Sequence, residues 1–247
     1  LSSSNDIINN LENGHGVAKY ILREGESIGS FYGFESDGLY TQEEIDAGHY
    51  YTYGGVTPNA GDTKFVPQRE LDWGEEITDS DRTIIGCEVP DFTYGINLSV
   101  NYKNFEFSIF GQGICGADVA FEVFHGQDNP RRYHMGRWSE ENPNPHAIYP
   151  RIYTASSPHT TYNRAFNDYH VFDADYFRFK TMTIGYNIPR NIVSRLGMSS
   201  LKVYLTGENL FTIRADHKMK DFDPEATSST VRALGSKSLA LGVNVSF

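Results

Sequence analysis

Cysteine is nearly absent from this chain. Cys87 and Cys115 are the only two in 247 residues, and no CxxC spacing occurs, which excludes a zinc ribbon or a dithiol redox motif. Long apolar runs are missing as well, since no stretch approaches the roughly 20 residues that a membrane-spanning helix needs. That excludes a helical membrane protein and says nothing against a barrel, whose strands alternate. Basic residues are outnumbered, 21 Lys and Arg against 32 Asp and Glu. With a formal net charge of −11 and no basic patch, nucleic acid is not an expected partner. The 8 histidines show no HxxxH or HExxH spacing, and GxSxG, Walker and Rossmann patterns do not occur. Adjacent acids such as Glu43 and Glu44 suit a soluble loop better than a glycosidase pair. No enzyme is expected.

Alternation and aromatic residues are abundant instead. Aromatics form 14% of the chain, with 16 Tyr and 16 Phe, a composition that favours strands over helices. The final run, 237–247, alternates throughout: Leu239, Leu241, Val243, Val245 and Phe247 share one face, Ser238, Ala240, Gly242, Asn244 and Ser246 the other. Residues 92–112 predict a hairpin, in which Tyr94, Ile96, Leu98 and Val100 form an apolar row. After a polar turn at 101–104, Phe105, Phe107 and Ile109 return against Glu106, Ser108 and Gln112. Strand texture recurs at 17–23, 28–38, 176–186 and 201–206, so roughly six or seven strands are expected. Spaced glycines in 28–38 suit a bending barrel wall. Thr41 with Glu44 three residues on suggests one capped helical turn, and residues 192–196 a short helix ended by Gly197.

The connections are sorted by length. Turn 101–104 and connector 187–199 are short, whereas 38–91, 113–175 and 211–236 are long. Counting strand directions back from the end puts the short ones on one side and the long ones on the other. Outer-membrane barrels show this pattern, with short periplasmic turns and longer extracellular loops. The expected fold is therefore all-β, an antiparallel transmembrane β-barrel wall with long extracellular loops. Two other architectures share the alternation: a soluble carbohydrate-binding β-sandwich and a small complete barrel acting as an anchor.

Several stretches together, in order, resemble the SusC/RagA family of TonB-dependent outer-membrane transporters. They are IGSFYGF at 28–34, DRTIIG at 81–86, PDFTYG at 90–95, YKNF at 102–105, RWSEENP at 137–143, FRFKTMTIGY at 177–186 and LKVYLTGENLF at 201–211. The Phe-terminated last strand completes the set. The resemblance implies a 22-stranded barrel with a plug, in the outer membrane of a Gram-negative, Bacteroidetes-type cell. It implies oligosaccharide or peptide import driven by the TonB complex, with a SusD/RagB-like surface lipoprotein as partner. Leu1 to Asp6 shows neither an initiator Met nor a secretory segment. Residues 1–247 are accordingly read as one C-terminal wall segment of a longer receptor, bounded by lipid and by strands of the remaining barrel. Phe247 then matches the terminal aromatic that outer-membrane proteins present for assembly.

Candidate site residues follow from the loops. The family often carries a calcium-loop-like DxNxDGxI pattern before the DR-x-x-IG element. Here Glu70, Asp72 and Asp81 fit positions 1, 3 and 12 of such a loop, but Gly74 replaces the position-5 ligand and Glu75 the glycine. Calcium is the one cofactor so suggested. Tyr50, Tyr51, Tyr53, Trp73, Trp138 and Tyr149 lie in the long connections, where they suit either a sugar or partner contact or the folding of the loops themselves. Tyr94, Tyr102 and Tyr186 fit an interfacial aromatic girdle. Cys87 and Cys115 flank the hairpin at its open end, an arrangement compatible with a disulfide or with two free thiols.

Overall fold

The structure, a computed structural model, describes residues 7–10, 19–121, 135–218, 223–225 and 236–247. Strands β1 (Ile7–Asn10), β2 (Lys19–Leu22), β3 (Ser30–Gly33) and β4 (Ser36–Leu39) precede helix α1 (Gln42–Asp46). Strands β5 (Thr52–Tyr53), β6 (Thr63–Phe65), β7 (Glu76–Ile77) and β8 (Thr83–Cys87) follow, then the hairpin of β9 (Phe92–Tyr102) and β10 (Phe105–Cys115). After β11 (Asp118–Ala120), helix α2 (Pro158–Arg164) and β12 (Val171–Asp173) come β13 (Tyr176–Asn187), helix α3 (Arg190–Val193), β14 (Ser200–Arg214) and β15 (Ser238–Ser246). None of the helices among the described residues is long and apolar enough to cross a membrane. The chain divides into two compact units, one from the described parts of 1–89 and 117–173, the other from 90–116, 174–224 and 232–247.

The second unit is one antiparallel sheet in the order β15-β14-β13-β10-β9. Its register carries a single apolar face across all five strands. Val243 pairs with Val203, Val203 with Tyr186, Phe105 with Tyr186 and Phe105 with Tyr102. One row further along, Leu241 pairs with Leu205, Leu205 with Ile184, Ile184 with Phe107 and Phe107 with Val100. This face is not covered: Leu239 and Leu241 are 69% and 74% exposed, and Leu98, Val100, Ile184 and Leu205 are exposed too. A contiguous apolar face of this extent marks a protein or membrane interaction surface. The opposite face is mostly polar, carrying Glu106, Ser108, Gln112, Arg178, Thr183, Lys202 and Thr206, with Phe110 and Tyr204 among them. Lys202 and Asn187 both bond to Glu106 there, the lysine reaching over Gly185.

Aromatic rings bracket the apolar face. At one end Phe92, Tyr94, Phe177, Phe179 and Phe211 form a continuous ring series with centroid spacings of 5.1 to 6.4 Å. At the other end Phe105 and Tyr186 lie 4.7 Å apart beside Tyr102. Nine residues separate Phe177 from Tyr186 on β13, about 30 Å at ~3.3 Å per residue. Tilted by the usual ~35–45°, that spans about 21–25 Å, close to the ~25 Å apolar band of membrane barrels. The connections sort as expected. Lys103 and Asn104 join β9 to β10, with Lys103 left-handed at φ 54, and Gly197 at φ 73 ends the short helical connector after β13. Both lie at the Tyr186 end, and the long connections leave from the other.

The alternation of β13 changes phase at Lys180, from Phe177 and Phe179 to Met182, Ile184 and Tyr186. The structure places a β-bulge there, so Asn209 and Leu210 of β14 stand opposite Lys180. Asn209 adopts φ 52, a left-handed conformation that asparagine tolerates better than most residues. This is the physical content of the GENLF stretch: the bulge lets both strands keep their apolar residues on one face.

The first unit differs from expectation. Residues 28–38 do not form barrel wall. They supply β3, buried at every position, and β4, and so belong to an aromatic core. Phe34 packs 5.1 Å from Phe65 and 5.1 Å from Tyr53, Phe65 lies 5.0 Å from Tyr162, and the Arg82 guanidinium sits 4.1 Å above Phe34. Strand β2 likewise joins a small sheet, β1-β2-β3-β8; the expected start of that strand at Val17 lies outside the described residues. Among the described residues the wall therefore has five strands rather than six or seven. The described parts of 38–89 and 117–173, which fall within the connections 38–91 and 113–175 read as long loops, pack into a unit with its own core. The capped turn at Thr41 is α1, with a complete capping box between Thr41 and Glu44.

Gly113 offers a direct test of the sheet packing. A Cβ there would meet the Tyr94 ring at 2.7 Å and collide with the Tyr176 carbonyl oxygen, a backbone atom that cannot swing away. At Gly95, a Cβ would find its nearest neighbour at 3.6 Å. Gly113→Ala is expected to destabilise the sheet by about 1–3 kcal/mol and Gly95→Ala to leave it nearly unchanged, measured by denaturant unfolding of the intact protein in detergent.

Candidate functional site

The most prominent surface feature of the first unit is a set of stacked rings. Trp73 is 52% exposed, with its ring centroid 4.9 Å from Tyr51 and 5.3 Å from His49, at interplanar angles of 28° and 30°. His49 and Tyr51 are two residues apart on the segment leading into β5, and so point to one side of it. The turn carrying Trp73 is held tightly. Gly74 N–H donates to the Tyr50 carbonyl at 2.7 Å, Glu75 N–H to the Asp72 carbonyl at 3.1 Å, and Thr52 N–H to the Glu75 carbonyl at 2.9 Å. The Glu75 carboxylate caps the turn by accepting from Asp72 N–H at 3.0 Å. Gly74 at φ 89 supplies the left-handed conformation the turn needs. Tyr51 is fixed from beneath, its N–H donating to the Tyr40 hydroxyl at 3.0 Å. Burial pushes the Tyr40 phenol up to about 12, so it remains a neutral acceptor.

The other aromatic candidates mostly face inward. Tyr53 packs edge-on against Phe34, Phe65 and Tyr162 in the core. Trp138 and Tyr149 are buried and joined by a backbone bond from Trp138 N–H to the Tyr149 carbonyl at 2.8 Å. Trp138 lies against Gly61, where a side chain would collide with the indole, and also lines a cleft of about 230 Å³ beside Thr41, Gln42, Glu140 and Pro143. Tyr50 is half-buried and contributes its carbonyl to the Trp73 turn. Of the six, only Trp73 is exposed, and the half-buried Tyr51 stacks against it. His49, which completes the platform, escaped sequence reading; its signal was the spacing of two from Tyr51.

Glu70, Asp72 and Asp81 do not converge. Asp81 is buried, with its carboxylate taken by Arg69 Nε at 3.1 and 3.3 Å and by Thr78 N–H at 2.9 Å. Glu70 and Asp72 are exposed, and no group of three or more His, Cys, Asp or Glu among the described residues is placed to hold a metal. These residues do not fit a calcium loop, because the would-be position-12 ligand already neutralises an arginine. Arg82 of the DRTIIG stretch pairs with Asp79 at 2.8 Å. Gly86 leaves room for the Asp118 carboxylate, which accepts Cys87 N–H at 3.0 Å. The stretch works as a structural clasp. Cys87 is a half-buried free thiol and Cys115 an exposed one. Phe247 follows β15 and is almost fully exposed.

No family model matches the chain. The TonB-dependent receptor P3 of Formosa agariphila is 33% identical over 210 residues, covering 83% of this chain and 19% of the relative. The chain belongs to the TonB-dependent receptor family. Receptors P26 and P39 of the same organism are 29% and 23% identical, over 95% and 96% of this chain and 24% and 26% of theirs. The chain thus spans about a fifth to a quarter of the length of the curated relatives it matches. Among solved structures, chains of the RagAB peptide importer superpose in the open-open state with a TM-score of 0.66 and in the closed-closed state with 0.68. Both are 19% identical and cover 97% and 100% of this chain, 24% and 25% of their own. The membership among TonB-dependent receptors expected from the ordered motifs holds, and the likeness to the RagAB chains shows the fold, a transmembrane β-barrel wall.

Two measurements test the receptor's first unit. Arg69→Ala leaves Asp81 buried without its cation and is expected to cost about 1–3 kcal/mol, read as faster hydrogen exchange across 69–81, while EDTA leaves that exchange unchanged. The second concerns Glu44. Burial alone would raise its carboxyl, but bonds from Lys64 at 2.7 Å and from Thr41 N–H at 2.9 Å outweigh it and hold the group below its ordinary range. Stabilisation from a lowered carboxyl is fully present above the unfolded value and is lost as pH falls through the folded one. Protection of residues 41–47 should therefore drop on acidification below the ordinary glutamate range, and Glu44→Gln should flatten that dependence.

Proposed function

We propose that this receptor segment forms part of the wall and outward face of an outer-membrane TonB-dependent importer of oligosaccharides or peptides. The carrying observation is the five-strand sheet with one uncovered apolar face bracketed by two aromatic rows, in a chain whose relatives are TonB-dependent receptors. Such a face is stable in hydrocarbon, and its polar reverse suits a hydrated interior. A soluble sandwich would bury the apolar face against a second sheet. A small closed barrel would need about eight strands, whereas β9 and β15 are open edges of this sheet. The long connections face the cell exterior in this reading, where they meet substrate and a SusD/RagB-like surface lipoprotein. Energy arrives from the TonB complex through other parts of the receptor. The RagAB likeness supports peptides as one substrate class.

Uptake in the producing bacterium decides this. Deleting the receptor gene should abolish uptake of particular peptides or oligosaccharides, deleting tonB should do the same, and the receptor should fractionate with the outer membrane and co-purify with a lipoprotein. Uptake of every tested substrate unaffected by loss of TonB would refute the reading.

A further inference from the structure

Within the platform of His49, Tyr51 and Trp73, the half-buried Tyr51 rests on the core around Phe34 and Phe65, whereas the Trp73 ring stacked on it stays exposed. Its turn is clamped by backbone bonds, yet half of the indole stays in water. An immobile exposed ring binds without first losing conformational freedom. The charge around it is one-sided. Residues 19–89 hold fifteen Asp and Glu against five Lys and Arg, a surplus of ten that nearly equals the −11 of the whole chain. Three of those cations are paired internally: Lys64 with Glu44 at 2.7 Å, Arg69 with Asp81 at 3.1 Å and Arg82 with Asp79 at 2.8 Å. Glu70 and Asp72, three residues and one residue before Trp73 in the chain, are both exposed.

We propose that this platform captures Lys- or Arg-bearing peptides from solution, a cationic side chain lying on the Trp73 face beside the carboxylates of Glu70 and Asp72. A guanidinium or ammonium is drawn to an indole face, and the surrounding carboxylates add attraction and speed encounter. An anionic glycan would be repelled here, and a neutral sugar would gain nothing from the field. The acidic stretch that resembled a degraded calcium loop is thus assigned to an organic cation. Capture of this kind rests on the peptide branch of the proposed function and fixes the charge class of the peptide.

The test is fluorescence anisotropy of a labelled Lys/Arg-rich peptide on the intact receptor in detergent. The same peptide with Gln at every basic position and an uncharged gluco-oligosaccharide serve as competitors. Trp73→Ala should weaken binding by about three- to thirtyfold, and Trp73→Phe should recover most of it. Glu70→Gln with Asp72→Asn should weaken binding and flatten its salt dependence. Unchanged hydrogen exchange of residues 74–77 shows that the variants are folded. Undiminished affinity in Trp73→Ala, equal binding of the Gln peptide, or displacement by the oligosaccharide would overturn the proposal. Binding in detergent needs no energy source, so intact binding with TonB-independent uptake contradicts the transporter reading alone. TonB-dependent uptake with Trp73-independent binding contradicts the capture site alone.

Discussion

Hydrocarbon offers no partner to a backbone N–H or C=O, so a chain that crosses it as strands must pair every strand and turn one apolar row outward. The whole second unit obeys that constraint. Five strands hold one register in which leucines, valines and aromatic rings line up across the sheet. Each irregularity in it can be traced to keeping that face intact. The bulge opposite Lys180, with Asn209 left-handed, corrects a phase change in β13. Gly113 leaves a gap through which Tyr94 and Phe177 stack 5.8 Å apart, continuing the aromatic row from β9 to β13.

The first unit answers to a different solvent. Its core is aromatic and conventional, and its charged groups are organised as clasps: Asp81 with Arg69, Arg82 with Asp79, Lys64 with Glu44. These fix the turns of the unit. The wall carries an uncovered apolar face, whereas the loop-derived unit buries its apolar residues in a core and carries the acidic charge.

Period-two alternation made the wall legible in sequence at β9, β10, β14 and β15, because each strand has one apolar and one polar neighbour medium. At 28–38 the spaced glycines, which suit a bending barrel wall, misled instead: β3 is buried at every position, and a glycine there serves close packing. Gly33, for example, sits where a Cβ would lie 2.7 Å from the Phe166 carbonyl. The fold of 38–91 was hidden because its contacts are made with 145–170, as in the bond from Leu39 N–H to the Pro145 carbonyl at 2.9 Å. No local pattern announces a partner a hundred residues away. The same reason separates the loop aromatics: Trp138 and Trp73 read alike in sequence, and only tertiary packing buries one and exposes the other.

Whether the apolar face of the sheet lies against lipid is tested most directly by spin-label accessibility along β14. With Cys87 and Cys115 replaced, labels would be placed one at a time from Leu201 to Thr206 in the reconstituted receptor. Collision with oxygen, which partitions into lipid, should peak at Leu201, Val203 and Leu205. Collision with a water-soluble nickel chelate should peak at Lys202, Tyr204 and Thr206. Loss of this period-two pattern, or chelate access at Val203 and Leu205 equal to that at Lys202 and Tyr204, would contradict a lipid-facing wall.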